Sequence, residues 1–205
     1  MPKGTVAVFL VALATTLLAA CASTTLQSAW YDTSYTGGPL RKIIVVGVGG
    51  TLAERRVFED AFVQQLNAAG TQAVPGYAFL PDDARQNEPG WNAGIAQSGA
   101  GGLLLVRLLG VDTKTQVSTT MVPGPIYFGP YGGVWGPQMI AVPDVTQYQV
   151  ANVETNLFDV RTKRVVWAGT TQTFNPGSVA QETPGFARLI IAQLAARGLI
   201  VSAKS

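Results

Sequence analysis

One thiol and no imidazole set the limits of the chemistry this chain can do. Cys21 is the single cysteine among 205 residues, and histidine is absent. A lone thiol can neither close an internal disulfide nor build a multi-cysteine zinc site. Without histidine, the commonest general base at neutral pH and the commonest metal ligand are both missing. Ser98 and Ser178 therefore have no imidazole to activate them, and no Ser-x-x-Lys pattern offers a substitute. Asp82, Asp83 and Glu88 stand close enough to move protons or hold calcium, but in a Pro- and Gly-containing loop they read as solvated polar residues. Gly47-Val48-Gly49-Gly50 would sit between a strand and a helix, where backbone amides attract phosphate. Leu52 occupies the place of the third glycine of a dinucleotide fingerprint and no Gly-Lys-Ser/Thr follows, so a tight turn is expected. The residues point to no catalytic group, no metal and no cofactor, and a non-enzymatic protein is expected.

The surroundings of Cys21 are more informative than its thiol. Lys3 and the amino terminus give a small positive start, Val6 to Ala14 is apolar and continues through Leu17 and Leu18, and Ala19 and Ala20 precede the cysteine. A positive end, a short apolar stretch and small residues before a cut site describe a secretory signal peptide over residues 1–20. The stretch falls short of the roughly 20 residues a spanning helix needs. Leu18-Ala19-Ala20-Cys21 resembles the lipobox of bacterial lipoproteins. The resemblance implies a diacylglyceryl group on the Cys21 thiol, cleavage before it, and acylation of the new amine. Two or three acyl chains anchor stably because each buried methylene contributes about 0.8 kcal/mol. Ala22 stands where the family's inner-membrane retention signal places aspartate, which implies the outer membrane, with the domain on its periplasmic face.

Composition agrees with a folded domain that has no nucleic-acid partner. Hydrophobic residues make up 47% and charged residues 13%, so the chain can bury a core. A formal net charge of +2 leaves no electrostatic footprint for nucleic acid.

The unusual segment runs from Thr115 to Pro143 and carries no charge. Its prolines and glycines exclude a long helix or a central strand, so a long loop is expected. Tyr127, Phe128, Tyr131 and Trp135 lie within it. Aromatics without charge are the composition of interface cores, and those four are the candidate partner-binding residues. Three readings stay open. The rings fold back as a lid, they meet an envelope protein or polymer, or they touch the lipid headgroup zone or form a barrel hairpin. The last version lacks the alternating ten-residue spans a transmembrane barrel needs.

The remaining chain supplies the scaffold. Residues 21–38 read as the lipidated cysteine and a Ser/Thr/Gly-rich tether, and 39–205 as one periplasmic domain. Ile43 to Val48 reads as a buried strand. Thr51 caps a helix whose Val57, Phe58, Ala61, Phe62, Leu66 and Ala69 make the apolar stripe. Arg55 with Glu59 and Arg56 with Asp60 are expected on the solvent side, and Gly70 ends the helix. Thr71 to Leu80 reads as a strand interrupted by Pro75-Gly76, with a bend or an edge position expected. Trp91 to Ser98 reads as a weak helix, and Leu103 to Val111 as the central strand. Gln147 to Val160 and Val165 to Phe174 read as an antiparallel hairpin. A last helix is expected from Pro184 to Arg197, capped by Thr183 and ended by Gly198. The fold class is α/β, one domain in the order β-α-β-α-β-β-β-α with a mixed sheet of about five strands.

That layout behind a lipid anchor resembles the periplasmic domains of curli-secretion-type outer-membrane lipoproteins and the N-terminal domain of the Tol propeller protein. Several phrases resemble uncharacterised proteobacterial outer-membrane lipoproteins. They are Trp30-Tyr31-Asp32 with Tyr35-Thr36-Gly37, Arg56 with Phe58-Glu59-Asp60-Ala61-Phe62, and Leu157-Phe158-Asp159-Val160 running to Val166-Trp167. The resemblance implies the fold and the envelope address and carries no activity. The residues themselves lead to the expectation of a non-enzymatic binding or assembly role in the envelope, with a secretion-channel subunit or an envelope hydrolase as the alternatives. The resemblance implies no oligomeric state.

Overall fold

The computed structural model describes residues 24–81, 87–123, 127–128, 134–135 and 139–202. Its centre is one six-stranded mixed sheet in the order β1-β8-β7-β4-β2-β3. The strands are β1 (Thr24–Tyr31), β2 (Lys42–Val48), β3 (Gln72–Pro75), β4 (Gly102–Pro123), β7 (Met139–Asp159) and β8 (Arg164–Phe174). A two-residue pair, β5 (Tyr127–Phe128) and β6 (Val134–Trp135), forms a second small ladder. Helices α1 (Leu52–Ala68), α2 (Glu88–Ser98) and α3 (Val179–Ala196) complete the chain. The single α/β domain agrees with the sequence reading, with one strand more than expected.

Both faces of the sheet are covered near β2, which is why that strand is apolar throughout. Ile43 and Val45 face a core that includes Phe62 and Leu66 of α1 and Phe186, Ile190 and Leu194 of α3. Ile44 and Val46 face the opposite layer, with Leu80, Ile95 of α2 and Leu103. β2 pairs in parallel with both β3 and β4, as the strand–helix–strand order predicts. β4, β7 and β8 are antiparallel, and the β7–β8 hairpin matches its expected limits closely at the turn. Thr51 caps α1 through a full capping box with Glu54, and Gly70 leaves the helix at φ 92°.

Five local expectations are corrected. Thr24–Tyr31, read as tether, is an edge strand paired antiparallel along β8, where the Thr24 and Ser28 hydroxyls hydrogen-bond to those of Thr173 and Thr170. The bent strand ends at Pro75, and Gly76–Ala78 is a 3₁₀ turn. A side chain at Gly76 would meet the Val45 carbonyl at 2.8 Å, so the close approach needs glycine. α3 begins at Val179, with Ser178 and Gln181 as its capping box. Thr183 is inside the helix, where its hydroxyl donates to the Val179 carbonyl (2.6 Å). On α1, Val57 is exposed, whereas Glu59 is fully buried and Arg55 half-buried rather than both being solvated.

The largest correction concerns residues 115–143. Much of this segment is strand: β4 and β7 run on past the sheet for 22 and 21 residues in all. They stay paired from Val111 opposite Ala151 to Pro123 opposite Met139, with Pro143 opposite Thr119. Prolines near the far end did not prevent this because a two-stranded ribbon has outer edges where an amide need not donate.

Candidate functional site

The ribbon springs from a row that crosses four strands. Thr24 of β1 stands opposite Thr173 of β8, Thr173 opposite Ala151 of β7, and Ala151 opposite Val111 of β4. The Thr24 and Thr173 hydroxyls hydrogen-bond at 2.9 Å. From Val111 to Pro123 the ribbon, hereafter the arm, extends about 40 Å.

A β-bulge at Leu109 sets which side chains share a face, since Leu108 pairs with Val153 and Gly110 with Asn152. Beyond it, odd-numbered residues lie on one face and carry no charge from Val111 to Pro123 or from Met139 to Ala151. Val117, Val145, Met121 and Met139 on this face are each 59–67% exposed. The arm's charges, Asp112, Lys114 and Asp144, all fall on the even face. Among the described residues, the side chains of the arm from Val111 to Val122 and from Met139 to Gln149 are exposed or half-buried.

At the foot of the uncharged face lies a cleft of about 300 Å³. Val106, Leu108 and Val111 of β4 with Ala151 and Val153 of β7 form its floor, and Phe58 of α1 and Phe186 of α3 its walls. Phe58, Phe62 and Phe186 pack ring to ring at 5.7–6.2 Å and tie the two helices together beneath it. Glu54, Arg55 and Glu182 are the charged groups of the lining, and each is already engaged. Glu54 Oε2 accepts from the Thr51 amide (2.8 Å), Glu182 Oε1 from the Gly177 amide (2.9 Å), and Arg55 Nε donates to Glu59 (3.2 Å).

Those engagements decide the phosphate question. Gly49 and Gly50 take φ of 111° and 69° and make the expected turn into α1. The Glu54 carboxylate occupies the helix start, and the Thr51 amide and hydroxyl hold its pKa below the ordinary range. A negative charge already placed there disfavours a second anion.

Glu59, fully buried, is a charged group whose burial sequence reading missed. Its Oε1 accepts from the Gly47 amide (3.0 Å) and its Oε2 from the Tyr77 amide (2.8 Å), which joins β2, α1 and the 3₁₀ turn. Burial pushes its pKa up, while these amides and Arg55 pull it down. All its partners come from the scaffold, so its role is structural.

The other candidates separate. Ser98 is buried, donates to the Ile95 carbonyl (2.6 Å) and accepts from the Ala100 amide, so it ends α2 and is no nucleophile. Ser178 is a helix cap. Asp82 and Asp83 lie outside the described residues, and Glu88 begins α2. Among the described residues no three potential metal ligands cluster. Of the partner-binding candidates, Tyr127 pairs with Trp135 and Phe128 with Val134 at the far end of the arm, while Tyr131 lies outside the described residues. Cys21 also lies outside them, three residues before Thr24. Among the described residues no helix is long and apolar enough to cross a membrane.

No family model matches the chain, and no curated protein does. Solved structures that are similar at low identity include three of different description. The PelC dodecamer from Paraburkholderia phytofirmans is 15% identical, with 87% of this chain and 100% of that chain covered and a TM-score of 0.43. Lipoprotein GNA1162 from Neisseria meningitidis is 12% identical over 76% of this chain and 98% of its own, with a TM-score of 0.38. A PDZ domain protein from Parabacteroides distasonis is 8% identical, covers 83% of this chain and 36% of its own, and scores 0.34. At these identities and scores none assigns the chain to a family or an activity.

Proposed function

We propose that this chain is a lipid-anchored envelope protein that acts by binding rather than by catalysis, held to the outer membrane through Cys21 with its domain in the periplasm. The observation that carries the binding role is the arm: two long strands with one uncharged face and aromatic residues at the far end. A monomeric domain gains little from an uncovered two-stranded ribbon, which is marginal by itself in water. Its length and composition suit a contact surface for an envelope protein or polymer, with Tyr127, Phe128, Tyr131 and Trp135 as its aromatic anchors. Catalysis finds no support in Ser98, Ser178 or Glu59, each of which is occupied by the scaffold. Crosslinking from the arm in intact cells, followed by mass spectrometry of captured partners, tests the reading. Capture that survives removal of residues 115–143 overturns it.

A second reading, a subunit of a secretion channel, is favoured by the length of the arm. Each strand beyond Val111 or Ala151 exceeds the 9–11 residues that cross a bilayer as a tilted strand. Thr113, Thr115, Gln147 and Gln149 on the uncharged face count against lipid exposure along the whole span. A ring-sized particle in detergent supports the channel, and a particle of one or two copies excludes it.

A further inference from the structure

We infer that the arm lies against the same bilayer that holds the lipid of Cys21, with its uncharged distal half in the headgroup zone. This rests on the lipid-anchor reading above and sets the bilayer, in place of a protein or polymer, against the distal half of the arm.

The inference comes from strand direction. β1 is antiparallel to β8, β8 to β7 and β7 to β4. The N-terminal end of β1 therefore points in the direction in which β4 continues into the arm. Thr24 and Val111 stand in the same row, three strand spacings or about 14 Å apart. Cys21 is three positions before Thr24, a reach of at most about 10 Å. The arm extends about 40 Å the same way. A domain anchored so closely, with an arm some four times longer than its tether, brings the arm to the membrane surface.

The distribution of charge fits that placement. Asp112, Lys114 and Asp144 lie between the row and the pair Ser118–Asp144, and beyond that pair the described ribbon carries no charge. Among the described residues, the two outer edges of the ribbon have no strand partner past Arg107 on β4 or before Val150 on β7. Unpaired backbone cannot lie bare in hydrocarbon, so the headgroup zone, where water reaches those edges, suits the ribbon.

The test uses the full lipidated chain, in which the lipid consumes the only native thiol. Met121→Cys and Gln64→Cys each carry an environment-sensitive fluorophore, Met121 on the arm and Gln64 on the exposed side of α1. The proteins are mixed with phosphatidylethanolamine/phosphatidylglycerol vesicles containing nitroxide-labelled lipid. The label at 121 should shift to the blue and be quenched at least twofold, while the label at 64 stays unchanged. Equal emission from the two positions on protein that floats with the vesicles overturns the inference and leaves the anchor standing. Protein that neither floats nor carries acyl mass on Cys21 removes the anchor and the inference with it. A blue shift at 121 that follows protein concentration without vesicles overturns it in favour of pairing between copies.

Discussion

Thr24 and Val111 stand in one row of the sheet, joined through Thr173 and Ala151, although they are far apart in sequence. The row puts the N-terminal end of β1 three strand spacings from the root of the arm. Cys21→Ser should abolish acyl labelling and move the protein from the membrane to the soluble fraction, because no second attachment through a thiol exists. Unchanged fractionation of that variant, with no acyl mass on the wild type, ends the lipoprotein reading.

Phe62 is fully buried between the sheet and α3, and Gln64, two residues on, is exposed. Phe62→Ala should cost about 3–5 kcal/mol, a cavity beneath the aromatic cluster. Gln64→Ala should be neutral to within about 0.5 kcal/mol. Denaturant unfolding of the two variants measures both, and equal costs would refute the helix phase.

The helix phase was legible because Phe62 and Leu66 repeat at helical spacing, and the capping box because Thr51 and Glu54 are three apart. Both signals are local. Glu59 was misread because i,i+4 spacing to Arg55 looks the same on a wet face as over a buried turn. What distinguishes them is the pair of amides from Gly47 and Tyr77, and the fold alone brings those to it. The arm was missed for a related reason. Odd–even alternation of charge is present from Val111 to Met121, but Pro123, Pro130, Pro137 and Pro143 outweighed it. An edge without a neighbouring strand tolerates such residues.

Gly94 gives a counter-intuitive expectation. Helix propensity favours Ala over Gly by about 1 kcal/mol in a helix interior. A Cβ at Gly94 would run into the Phe79 carbonyl oxygen, where backbone must move. Gly94→Ala should therefore destabilise by about 1–3 kcal/mol despite the gain in propensity. A rise in thermal midpoint would show that α2 is not packed on that carbonyl.

Glu59 should give the fold a pH dependence. Burial, the first cause, raises its folded pKa above the ordinary glutamate value near about 4.3, so the folded state binds its proton more tightly than the unfolded chain. Its contribution to stability is therefore largest below the ordinary value and falls as pH rises through the window above it. Glu59→Gln cannot titrate. The midpoint difference, wild type minus variant, should shrink between pH 4 and pH 7, with other groups cancelling. A difference that widens with pH would mean that the amides and Arg55 outweigh burial.

The arm should be separable from the stability of the domain. Its described side chains beyond the row are mostly exposed, and the core clusters draw on β4 only up to Val106 and on β7 only from Val150 onward. Replacing Tyr127, Phe128, Tyr131 and Trp135 together by Ser removes aromatic area at the end of a ribbon that the global unfolding transition hardly senses. The thermal midpoint should stay within a few degrees of wild type, since about 1 kcal/mol would already move a domain of this size by about 2–4 °C. The same variant should lose whatever surface the arm engages, because aromatic anchors dominate contact energies. Melting followed by vesicle quenching and in-cell crosslinking separates the two effects. A fall of many degrees would place the four rings in the core and return the segment to a lid. An unchanged midpoint with unchanged contacts would move the binding surface from the tip to the strands, where Val117, Val145, Met121 and Met139 become the residues to replace.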